Sequence, residues 1–196
     1  MKKNGLSDQK LILFYANGSE KAFATLLNRH KQSVFTYIYS LTCDKDVAND
    51  IFQETFIKAI REIKSGRYEE QNRFLFWVLR IARNQVLDKK REEYRRDCCL
   101  KRQEVDKFKL VSQIISKEIS AEEKLIIGSN ALIIKALIRS LDEDQREVLI
   151  MRHYSGMSFL EIAEVTNVSI STALGRMRHA LAKLRKLIQK YNLDLA

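Results

Sequence analysis

Ser158-Phe159-Leu160-Glu161-Ile162-Ala163-Glu164-Val165-Thr166-Asn167-Val168-Ser169-Ile170-Ser171-Thr172-Ala173-Leu174-Gly175-Arg176 is the stretch on which the fold turns. Ser158-x-x-Glu161 is a capping box, which satisfies backbone N–H groups reciprocally and starts a helix. That helix is short, running through Ile162, Ala163 and Val165, and Thr166-Asn167-Val168 turns the chain. Ser169 then caps a long final helix. A short helix, a three-residue turn and a long basic helix form the helix-turn-helix pattern.

On a 100° wheel, Ile170, Ala173, Met177, Leu181, Leu184 and Ile188 fall on one face of the last helix, which must pack. Ser171, Gly175, Arg178 and Arg185 lie opposite, and Thr172, Arg176, His179, Lys183 and Lys190 run along one flank. Small residues at the N-terminus and cations along the body suit a major groove, where arginine pairs with guanine O6 and N7. Gly175 costs about 1 kcal/mol relative to alanine inside a helix. Close approach to DNA is one reason for it, and close helix packing is another. Upstream, Asp142 caps a helix through Val148, Leu149 and Met151, and His153-Tyr154-Ser155-Gly156-Met157 breaks it.

The first half is also helical by period. Phe23, Leu26, Leu27, His30, Val34, Tyr37, Ile38 and Leu41 recur at steps of three and four behind Gly18-Ser19. A second helix, started by Asp44 or Asp46, carries Val47, Ile51, Phe52, Phe56, Ile60 and Ile63, with Gly66 as its C-cap. A third carries Phe74, Trp77, Val78, Ile81, Ala82 and Val86, and fades into charge at Lys89-Lys90-Arg91. Residues 96–130 alternate in charge and lose the apolar pattern, apart from Ser120-x-x-Glu123 as a capping box for one short helix. The expected fold is all-α: two small helical domains, residues 6–95 and 131–196, joined by a linker at 96–130.

Composition narrows the function. The 196 residues contain no proline and 6 glycines, which argues against a turn-rich sandwich or barrel. No apolar run approaches the ~18 residues of a membrane span, and no signal segment follows Met1-Lys2-Lys3-Asn4. Cys43, Cys98 and Cys99 lack zinc-site spacing and suit a reducing cytoplasm. No metal or other cofactor is expected. The net charge of +10 is concentrated. Residues 73–102 hold ten basic and four acidic side chains, and residues 169–192 hold six basic and none acidic. Two separate basic segments point to two contacts with a polyanion. In the first, cations interleave with aromatics: Tyr68, Arg73, Phe74, Phe76, Trp77, Arg80, Arg83 and Asn84. Extruded bases stack on such rings while cations track phosphates, although Phe74, Trp77 and Ile81 are also spaced as core residues.

Four motifs resemble those of bacterial RNA polymerase sigma factors of the extracytoplasmic-function (ECF) subgroup of the sigma-70 family. Asp50-Ile51-Phe52-Gln53-Glu54-Thr55-Phe56 is similar to region 2.2, and Phe74 through Asn84, with Asp88, to regions 2.3–2.4. Leu141 with Arg146-Glu147-Val148-Leu149 opens region 4, and Gly156 through Ala180 is similar to the region 4.2 helix-turn-helix. The resemblance implies that Asp50, Gln53 and Glu54 dock on the polymerase β′ clamp, while region 4 meets the β flap. It implies that loop 65–73 and Arg73, Phe74, Trp77, Arg80, Arg83 and Asn84 read and melt the minus-ten element. Ser171, Thr172, Leu174, Gly175, Arg178 and His179 would face the minus-thirty-five element, with Arg176, Lys183 and Arg185 on phosphates. Leu174 and Gly175 depart from the residues common in the family, so the promoter preference is this chain's own.

The implied role is a specificity subunit, not an enzyme, with core RNA polymerase, promoter DNA and an anti-sigma factor as partners. A stand-alone helix-turn-helix regulator would account for residues 131–196 but not for the docking helix or the aromatic–basic segment. For a nuclease or recombinase, His30, His153 and His179 are scattered, with no carboxylate cluster or phosphate loop beside them.

Overall fold

A computed structural model describes residues 6–69, 73–97 and 129–190. All regular structure among them is helical. The first module holds α1 (Asp8–Ala16), α2 (Glu20–Thr42), α3 (Lys45–Lys64) and α4 (Phe74–Asp97); the second holds α5 (Ser129–Arg139), α6 (Glu143–Tyr154), α7 (Phe159–Thr166) and α8 (Ile170–Lys190). Most of the expected linker, including the Ser120–Glu123 capping box, lies outside the described residues.

The helix boundaries follow local chemistry. Asp44, rather than Asp46, caps α3, its carboxylate accepting from the Asp46 and Val47 backbone N–H groups at 2.8 and 3.0 Å. At the other end Ser65 is the cap, and Gly66 follows it at φ +72°. The Gly66 N–H donates to Ile63 O and the Arg67 N–H to Glu62 O, a Schellman pairing that needs the left-handed residue glycine supplies. The Ser158–Glu161 capping box is complete. Asn167 closes α7 at φ 55°, and the Ser169 hydroxyl accepts from the Thr172 N–H at 3.1 Å to start α8.

Three expectations need correction. Helix α1 has no counterpart in the sequence reading, yet it buries Leu11, Ile12 and Tyr15. Ser7 caps it, and Asp8 pairs with Arg29 and with His30 (2.7 Å) on α2. Burial by itself would raise the Asp8 carboxyl; hydrogen bonds and charge from His30 and Arg29 outweigh that and hold it below its ordinary value. Helix α4 does not fade at Arg91 but continues to Asp97, because Lys, Arg and Glu are good helix formers on an exposed turn. Ile170 leaves the packing face of α8 and is 45% exposed; it is the first helical residue, ahead of the packed series Ala173, Met177 and Ala180.

The two modules pack against each other. Helix α6 lies along α2, and α7 meets α4. Six consecutive residues of α6, Arg146 to Met151, are buried. A helix advances 100° per residue, so six in a row cover its whole circumference. One side of α6 faces α7 and α8 of its own module, and the other faces the first module. Most of the buried apolar residues of both modules form one contiguous cluster.

Candidate nucleic-acid interface

The second module builds its surface from the turn outward. Asn167 redirects the chain so that α8 crosses α7, and Ala173, Met177, Ala180 and Leu187 anchor α8. The opposite side is left open. Ser171, Thr172, Leu174, Arg178 and His179 are exposed, and Leu174 keeps 41% of its surface. The Ser169 hydroxyl holds those of Ser171 and Thr172 at 2.8 Å each, clustering three hydroxyls at the helix start. A Cβ built on Gly175 meets nothing within 4 Å, which removes close helix packing as the reason for this glycine. Arg176 and Lys183 are half-buried and pair with Asp144 (2.5 Å) and Asp142 (3.1 Å), at the start of α6.

Helix α4 is arranged differently. Phe74 and Trp77 are core residues in this structure, the latter 7% exposed. Tyr68 covers both, with ring centroids 6.4 Å from Phe74 and 4.8 Å edge-on to Trp77. Arg80 and Asn84 are exposed. Arg73 lies 3.9 Å over the Phe76 ring, and its guanidinium reaches Glu164 at 2.7 Å and Glu161 at 3.9 Å, both on α7. Arg83 donates from Nε to Glu147 at 2.9 Å. Part of the intervening loop, residues 70–72, lies outside the described residues.

Glu147 is the contact that sequence reasoning missed. It is 3% exposed, and the Tyr37 hydroxyl donates to it at 2.7 Å across the module boundary. Burial, together with the facing carboxylate, pushes the Tyr37 pKa well above its ordinary value, so the hydroxyl remains a donor. In sequence, Glu147 reads as one polar position on an amphipathic helix. Its partners are 110 and 64 residues away, a pairing no local period reveals. Surface contacts extend the junction: Lys90 to Glu143 (2.5 Å) and the Arg139 guanidinium to the Tyr39 hydroxyl (2.5 Å).

On α3, Asp50, Gln53 and Glu54 are exposed and line one groove with Val47, Ile57, Gln85 and Asp88. Beneath them, the buried Thr55 hydroxyl bonds to Gln85 of α4, fixing the two helices that carry this polar face. Among the described residues, no helix is long and apolar enough to cross a membrane.

Comparison with known proteins agrees with this division. The Sigma-70 region 2 family matches residues 26–96, and the Sigma-70 region 4 family matches residues 131–184. The ECF RNA polymerase sigma-E factor of Escherichia coli K12 is 30% identical over 185 residues, covering 94% of this chain and 95% of that protein. The ECF RNA polymerase sigma factor SigW of Bacillus subtilis is 27% identical over 184 residues, covering 92% and 96%. Two solved structures share the fold: CnrH in complex with the cytosolic domain of CnrY, and the sigma factor RpoE in complex with the anti-sigma factor NepR from Bartonella quintana. The first has a TM-score of 0.62 at 24% identity over 93% of this chain and 97% of that one. The second has a TM-score of 0.63 at 20% identity over 86% and 98%. With both regions matched in order, and with a relative this similar along nearly the whole length, the chain belongs to the sigma-70 family of RNA polymerase sigma factors, in its extracytoplasmic-function group.

Proposed function

We propose that this chain is a promoter-specificity subunit: it recruits core RNA polymerase, places it by two DNA contacts and stabilises the melted bubble. The observation that carries this reading is the open face of α8. Its small and cationic side chains stand clear of the packed side, on a helix entered by a three-residue turn. Ser171, Thr172, Leu174, Gly175, Arg178 and His179 read base edges in the minus-thirty-five element. Leu174 offers an apolar contact for a thymine methyl, and Arg178 offers a fork for guanine. Arg176 and Lys183 turn from Asp144 and Asp142 to phosphates, which positions the protein without specifying sequence.

The minus-ten contact belongs to α4 and the loop before it. Arg80 and Asn84 present the exposed polar edge, Arg73 and Arg83 supply cations, and Phe74 and Trp77 hold the platform beneath. Binding energy offsets the unpairing of a few base pairs, at roughly 1.4 kcal/mol per step. Asp50, Gln53 and Glu54 dock on the clamp of the polymerase β′ subunit, and the second module meets the β flap. The chain supplies no catalytic group of its own and works in the cytoplasm, where its polymerase is. One neighbouring structure holds the sigma factor RpoE with the anti-sigma factor NepR, and we extend that class of regulator to this chain.

The test is transcription from a random promoter library with purified chain and core enzyme. Enriched start sites sharing two spaced elements, with stoichiometric co-purification, are the expected result. A chain that binds duplex DNA but neither binds core enzyme nor makes it initiate would be a stand-alone regulator instead.

A further inference from the structure

We propose that Ile170, Leu174 and Arg178 form one reading ridge, whose two apolar members make this chain select two thymines in its upstream promoter element. The ridge rests on the α8 reading face proposed above, and adds to it Ile170, a register and a base identity.

The three residues lie four apart, along a row of α8 that drifts only about 40° per step. Ile170 is 45% exposed and Leu174 41%, and Arg178 stands in solvent beyond them. Single exposed apolar residues are common on any surface and need no explanation. Two on consecutive turns of one helix, in line with a cation, are a different matter. Ala173, Met177 and Ala180 already occupy the packed side, and neither Ile170 nor Leu174 belongs to the buried cluster. Gly175, which meets nothing when a Cβ is built on it, carries no side chain to hold a partner surface away from the ridge.

The groups around the ridge say what covers it. Residues 169–192 hold six basic side chains and none acidic. The Ser169 hydroxyl gathers those of Ser171 and Thr172 beside Ile170. Cations and hydroxyls on one face fit a polyanion. In the major groove of duplex DNA, the apolar group on a base edge is the C5 methyl of thymine. Two aliphatic side chains set among phosphate-binding groups therefore match two thymine methyls. Four residues of helix advance about 6 Å, close to two base pairs at about 3.4 Å each. The two thymines, on either strand, should stand about two pairs apart, with a guanine about two further pairs along for Arg178.

The test uses the full chain, core enzyme and a promoter recovered from the random library. Each thymine of its upstream element is replaced singly by deoxyuridine, which pairs identically and lacks only the C5 methyl. Two positions about two pairs apart should each lose about fourfold in binding, as expected for one buried methyl-sized group. Leu174→Ala should bind the thymine and deoxyuridine forms equally at one of these positions, and Ile170→Ala at the other. Each variant should keep the methyl effect at the position it does not touch. Urea midpoints of both variants should match the parent, because both side chains are exposed. A side chain that merely shaped α8 would weaken both DNA forms alike and leave the methyl effect in place.

Deoxyuridine without effect at every upstream position overturns the ridge and leaves the sigma-factor role standing. The ridge is also overturned by a methyl effect that survives in both variants. A loss in Ile170→Ala that is the same with thymine and deoxyuridine overturns it too, and gives that residue to a protein partner. A chain that never initiates with core enzyme removes the sigma-factor role instead. A short duplex that the full chain selects from a random pool then carries the same substitutions, and the same loss of methyl discrimination decides the ridge. Failure to select any duplex overturns both.

Discussion

Helices α4 and α8 carry seven and six cationic residues and are built in opposite ways. Helix α8 is one-sided: Ala173, Met177, Ala180 and Leu187 pack, and Arg178 and His179 stand in solvent. Helix α4 packs over most of its first half, with Phe76, Trp77, Val78 and Leu79 buried in succession, Arg80 and Asn84 left exposed, and Arg73 and Arg83 committed to carboxylates of the other module. The difference teaches that charge density does not define an available binding face. A one-sided helix can be a preformed reader, whereas cations already answered by carboxylates must be uncovered before they read anything.

The largest effect that separates the two helices is a truncation on each. Trp77→Ala should lower unfolding stability by about 3–5 kcal/mol in denaturant titration, because it empties a packed site. Arg178→Ala should change stability by less than about 0.5 kcal/mol, yet weaken promoter binding by about 1–3 kcal/mol if it pairs with a base. Equal stability losses would erase the contrast. In Trp77→Ala protein that still folds, permanganate footprinting should show impaired melting with closed-complex binding less affected.

Next in size is Arg83→Ala, which leaves the buried Glu147 carboxylate without its cation. Breaking such a pair costs about 3 kcal/mol or more. Because the pair bridges the modules, the loss should split a single calorimetric unfolding transition into two. A single transition that merely shifts would place the coupling elsewhere in the junction.

Ser169→Ala removes the hydroxyl that starts α8 and should cost about 1 kcal/mol, with the change in amide exchange confined to the second module. The smallest effect concerns α1. The Asp8 carboxyl is held below its ordinary value, so its contribution is fully present above the unfolded carboxylate pKa of about 3.9. That contribution is lost as pH falls below this value and through the lower folded one. Asp8→Asn should flatten the acid limb of stability below about pH 4 without moving α4 or α8, as read by urea midpoints across pH.

Much of this was legible in residue order. The capping box at Ser158, the turn at Asn167 and the apolar series in α2, α3 and α4 each depend on neighbours within one or two turns. Helix α1 was available to the same reasoning, since Ser7 precedes Leu11, Ile12 and Tyr15 at helical spacing, but its brevity hid it. The exposed face of α8 followed from a wheel, save for Ile170 at its first turn. Its spacing allowed Trp77 a place in the core, and packing under Tyr68 gives it one.

Sequence alone determined the helices other than α1, most of their caps and the two basic segments, because these arise from backbone propensity, period and local hydrogen bonds. Tertiary structure decided which cations stay in solvent and which are answered by carboxylates. Glu147 meets Tyr37 and Arg83 across separations of 110 and 64 residues. Such contacts depend on how whole helices stack and on the cost of burying an unpaired charge, and neither is written in any short stretch of chain.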